Sequence, residues 1–157
     1  MEEELFELSE NEMIIAVVLP RIWGLQAIFE EDLKLQTDVA VSNEGMPALD
    51  AVYGGEHIRF SYFPVGVTAD TDRFLLVMRV NAYEVSEEEE QGVFFDCESY
   101  NIGAVFGYAV YNPMDKNVEL RAQISEVGAM NDADGYQHLL DMFIGSLREL
   151  RGEDDTE

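Results

Sequence analysis

The stretch Ala48-Leu49-Asp50-Ala51-Val52-Tyr53-Gly54-Gly55-Glu56-His57-Ile58-Arg59-Phe60-Ser61-Tyr62-Phe63-Pro64 decides the fold. Two runs of period two are joined by a Gly-Gly pair, and glycine supplies the positive φ angles that a tight two-residue turn needs. The spacing predicts a β-hairpin over 48–64. In its second strand Ile58, Phe60 and Tyr62 share one face, while His57, Arg59 and Ser61 take the other.

Working outward, Asp70-Thr71-Asp72 marks a turn. Arg73–Tyr83 then reads as a strand with Phe74, Leu76, Met78, Val80 and Ala82 on one face. Leu75 and Val77 lie on the reverse face, as in a central strand covered in part on both sides. Ser86 followed by four glutamates reads as a hydroxyl cap with acids in the first turn of a helix. Phe94, Cys97, Asn101 and Ala104 recur at helical spacing and predict its buried stripe. Two more strands, Val105–Tyr111 and Asn117–Ser125, flank the loop residues Asn112 to Lys116. The last helix is capped by Asp132 or Asn131 and carries the stripe Tyr136, Leu139, Leu140, Phe143, Ile144, Leu147 and Leu150. Gly152 ends it.

Upstream of the hairpin the pattern is weaker. Residues 1–10 are acidic and read as frayed, and Asn11 or Ser9 caps a segment beginning near Glu12. Its run Met13–Leu19 suits a strand as well as a helix. A helix kinked or continued past Pro20 through Ile22, Trp23, Leu25, Ile28 and Phe29 is the reading adopted, with nothing assigned between Phe29 and the hairpin. The resulting order is α-β-β-β-α-β-β-α. It predicts an α+β domain over residues 1–152, an antiparallel sheet of about five strands with helices packed on it. An acidic tail, 153–157, is predicted to be disordered.

Charge bounds the function. Among 157 residues, 9 Lys+Arg stand against 33 Asp+Glu, a formal net charge of −24. Such a chain is repelled by nucleic acid and by anionic membrane surfaces, and attracts basic proteins. The single cysteine, Cys97, excludes an internal disulfide. Met1-Glu2-Glu3-Glu4 is unlike the basic start of a signal peptide. The apolar run Met13–Leu19 is far shorter than the roughly 20 residues of a membrane span. The expected compartment is the cytoplasm.

No catalytic, cofactor-binding or metal-binding constellation is legible. His57 and His138 fall at no metal-ligand spacing, and Cys97 has no partner for zinc. Four consecutive glutamates, 87–90, spread around a helix and cannot converge on one ion. Asn131-Asp132-Ala133-Asp134-Gly135 fails as a calcium loop, because its first position would be Met130. No glycine-rich phosphate loop is present. The aromatic residues of the strands are more informative, since three helices cannot cover both faces of such a sheet. Phe60, Tyr62, Leu75, Val77, Tyr108 and Tyr111 are the candidates for a partner-binding surface, and a homodimer is the expected way to cover it.

The residues Asn101-Ile102-Gly103-Ala104-Val105-Phe106-Gly107-Tyr108-Ala109-Val110-Tyr111 resemble the YbjN family, the bacterial sensory-transduction regulators. Members carry an asparagine near a helix end, a phenylalanine five residues later and then a strand, and Asn101 and Phe106 match that spacing. The resemblance spans roughly residues 72–150, and residues 1–47 depart from it. It implies a fold like that of type III secretion chaperones, frequent dimers, no catalytic residues and a non-enzymatic protein-binding or regulatory role. Two rival functions are an acidic immunity or decoy protein that neutralises a basic toxin or regulator, and an enzyme whose site is not recognisable in sequence.

Overall fold

A computed structural model describes residues 10–41, 45–64, 74–125 and 132–153. Residues 1–9 (with the Ser9 cap), the turn Asp70-Thr71-Asp72, Arg73, Asn131 and the tail beyond Glu153 lie outside them. The order is helix α1 (Glu10–Ala27), a π-helical turn (Ile28–Asp32), strands β1 (Gln36–Val41), β2 (Pro47–Tyr53), β3 (Glu56–Pro64) and β4 (Phe74–Glu84), helix α2 (Glu90–Gly103), strands β5 (Tyr108–Asn112) and β6 (Asn117–Ser125), and helix α3 (Ala133–Leu150). The strands form one sheet in the order β1-β2-β3-β4-β6-β5. Every pairing is antiparallel.

The sheet therefore has six strands rather than five. The added strand, β1, lies in the segment to which the sequence assigned nothing. Its residues Gln36-Thr37-Asp38-Val39-Ala40-Val41 are largely wet, and it forms an edge, so period-two apolarity is faint there. The hairpin forms as read. Gly54 and Gly55 take φ of 60° and 81°, the pair of left-handed conformations that suits a two-residue turn, and Tyr53 pairs with Glu56 across it.

One apolar cluster fills the space between the helices and one sheet face. From the sheet come Ile58, Phe60, Leu76, Met78, Leu120 and Ala122; from α1 and the turn after it come Val18, Ile22, Leu25 and Phe29. The spacing of those last four, four-three-four, is one helical stripe, and Pro20 sits exposed within α1 without ending it. Phe29 meets Phe60 edge-on with ring centroids 5.0 Å apart, and Tyr136 of α3 edge-on at 5.5 Å. Asp132 caps α3, its Oδ1 accepting from the backbone N–H of Gly135 at 2.8 Å.

Two boundaries move. Helix α2 begins at Glu90, and Ser86 instead closes a turn in which its Oγ and Glu89 Oε1 lie 2.8 Å apart. Strand β5 begins at Tyr108, because Gly107 turns the chain with φ of 84°. A side chain there would bring a Cβ within 3.0 Å of the Arg121 carbonyl oxygen, so glycine is required sterically.

Candidate partner-binding surface

Helix α2 turns Val93 and Cys97 into the core, packs Tyr100 half-buried against it, and leaves Phe94, Phe95 and Ile102 outside. Phe94 is 67% exposed, Phe95 72% and Ile102 83%, and Val105, just past the helix, is 99% exposed. Of the predicted stripe Cys97 is buried and Ala104 half-buried, while Phe94 and Asn101 are exposed and Val93 takes the place of Phe94 inside. Val93-Phe94-Phe95 carried the signal: three consecutive apolar residues span about 200° of a helix, more than one buried face can take.

Between α2 and β5 runs an open groove of about 470 Å³, lined by Phe94, Cys97, Glu98, Asn101, Ile102, Ala109, Val110 and Tyr111. Phe94 stands edge-on to Tyr111 with centroids 5.5 Å apart, and the Tyr111 hydroxyl donates to Glu90 at 2.9 Å. Strand β5 is a sheet edge, and an unpaired edge invites another strand. Asn101 closes part of it: its Nδ2 donates to the Ala109 carbonyl at 3.0 Å, and its Oδ1 accepts from the Ala109 N–H at 2.6 Å. The amide side chain acts as a one-residue strand and holds α2 against β5. Burial, then Asp96, pushes the Cys97 thiol above its usual range. Such a shift disfavours the reactive thiolate, and the side chain packs in the core.

The six sequence candidates do not form one surface. Phe60 and Tyr62 are buried on the helix-facing side of the sheet, and Tyr111 is buried as the floor of the groove. Alternation fixed their face, but three strand aromatics turned out to be core. Leu75, Val77 and Tyr108 are half-buried on the opposite face, where Gln123 donates to the Tyr108 hydroxyl at 2.9 Å. That face is mainly polar: Asp50, Arg59, Arg79 and Arg121 lie along it in register. Among the described residues, no group of three or more His, Cys, Asp or Glu could hold a metal ion, and no helix is long and apolar enough to cross a membrane.

No family model and no curated protein matches the chain. The likeness to the YbjN family therefore rests on the sequence pattern alone. Among solved structures the chain is similar to one in the HopA1–SchA chaperone–effector complex, with a TM-score of 0.54 and 9% identity, covering 84% of this chain and 96% of that one. At that identity the likeness concerns the fold. The architecture is α+β with an antiparallel sheet, as the order of elements led one to expect, and its likeness to a chain of a chaperone–effector complex agrees with the chaperone-like fold that the family resemblance implied.

Proposed function

We propose that this protein is a non-enzymatic, chaperone-like binding module whose α2–β5 face is covered by a second copy of itself. The observation that carries the reading is the row Phe94, Phe95, Ile102 and Val105, four large apolar side chains left in water on a chain of net charge −24. Large exposed apolar patches on otherwise polar surfaces mark interfaces. A strongly acidic chain repels its own copy, so only an apolar face is suited to self-association. The chaperone-like fold supports a protein partner beyond the dimer, and kinship with the YbjN regulators and a cytoplasmic setting are consistent with it.

Light scattering at low and at moderate salt tests this. The expected mass is twice the 17.8 kDa of one chain, with association tightening as salt screens the mutual repulsion. A mass of one chain in both conditions, at tens of micromolar, contradicts the dimer. Binding to a basic protein that weakens strongly with salt would favour the decoy reading, in which charge and not apolar surface drives binding.

A further inference from the structure

The sheet face away from the helices holds an arrangement that neither the fold nor the proposed dimer uses. Arg59 of β3 pairs directly with Arg79 of β4, and Arg79 with Arg121 of β6. Three of the nine cations in the chain thus stand side by side across adjacent strands. Like charges directly opposite one another on a sheet are destabilising, so such a row needs counter-charge.

The outer two arginines have it. Arg59 grips both carboxylate oxygens of Asp50, at 2.7 and 2.9 Å, and Arg121 lies 3.5 Å from Glu119, which is itself buried. Among the described residues the guanidinium of Arg79 has no hydrogen bond or ion pair, although the chain carries 33 acids. Beside it, the buried Arg121 Nε also lacks an acceptor. Arg79 lines a depression of about 280 Å³, whose charged lining is Arg59 with its partner Asp50, the carboxylates of Asp115 and Glu119, which the Asn112 amide holds, and His57.

We propose that this depression is a binding site for a small, singly charged carboxylate, held in a two-pronged pair by Arg79. The planar fork of arginine matches a carboxylate, and the neighbouring Arg59–Asp50 pair shows that geometry one strand away. A ligand with one charge is favoured over a phosphate, because the field of a chain at −24 opposes each added negative charge. Asn81 offers a polar contact to a hydroxyl on the same molecule, whereas the Asn112 amide is already bonded to Asp115 and Glu119. The site is independent of the α2–β5 groove.

The test is an NMR titration of the full chain with acetate, glycolate and inorganic phosphate, read at the Arg79 Nε–H. Acetate and glycolate should shift that signal saturably, glycolate more tightly, and phosphate should bind more weakly. Arg79→Gln should weaken binding about tenfold or more, and Arg79→Lys, which keeps the charge but loses the fork, should also weaken it. Without ligand, Arg79→Gln should melt no lower than the parent, since it removes an uncompensated charge from the row. An absent or unsaturable shift, equal binding by Arg79→Gln, phosphate binding as tightly as acetate, or a clearly lowered melting point in Arg79→Gln would each overturn the proposal.

Discussion

Phe143 and Asn101 show how single side chains hold this molecule. Phe143 is fully buried in the middle of the α3 stripe, where it meets Phe106 edge-on at 6.4 Å. Phe143→Ala leaves a cavity as well as losing transfer energy, and should cost about 3–5 kcal/mol in chemical denaturation. An unchanged midpoint would show that the helix is not packed as described. Asn101 makes two hydrogen bonds to one backbone unit. Asn101→Ala leaves the Ala109 N–H and carbonyl without those bonds and should cost about 1 kcal/mol or more. Asn101→Asp keeps the acceptor for the N–H but sets a carboxylate against the carbonyl, so it should rescue little. Full stability in both variants would show that the α2–β5 junction is held by packing alone.

At the level of elements, Arg151 fastens the end of α3 to the sheet. Its guanidinium takes both oxygens of Glu56, at 2.9 and 3.0 Å, and also donates to the carbonyls of Ala82 at 2.6 Å and Asn81 at 2.9 Å. The Arg151 hydrogen bonds hold the Glu56 carboxyl below its ordinary value of 4.5. A carboxyl with a depressed folded pKa stabilises the fold above its unfolded value, and that stability is lost as pH falls through the folded value. Glu56→Gln should therefore be less stable than the parent at pH 7, with the gap closing as pH drops below about 4.5. A gap that persists unchanged in acid would show that the pair contributes through shape and not charge. The strand pattern and α3 were legible because each has a regular apolar period and its own punctuation, Gly54-Gly55 and Asp132. Strand β1 was not, since a wet edge strand has neither. In α2 the stripe was right at Cys97 and wrong at Phe94 and Asn101, because helical spacing alone does not say which of Val93, Phe94 and Phe95 turns inward, and the exposed Phe94 and Phe95 carry the surface instead. The arginine row was invisible for another reason: Arg59, Arg79 and Arg121 are distant in sequence, and only the register of three strands brings them together.

On the scale of the whole molecule, the helices cover one sheet face, and large apolar residues are left exposed at Trp23, Val41, Phe63 and Met114 as well as in the group Phe94, Phe95, Ile102 and Val105 in and just past α2. The chain combines strong mutual repulsion with four exposed apolar side chains near one edge of the sheet, which is why its association should be apolar and helped by salt. Ile102→Asp places a further negative charge in that face at a position 83% exposed, so it should leave folding intact while returning the protein to the mass of one chain. A variant that still dimerises would put the interface elsewhere. Amide hydrogen exchange, followed in the parent protein at dilute and at concentrated conditions, tests the location most directly. Peptides covering Phe94 to Val105 and β5 should gain protection with concentration, while β1 and β2 remain as they were. Uniform exchange along α2 at every concentration, in a sample that light scattering shows to be dimeric, would contradict it.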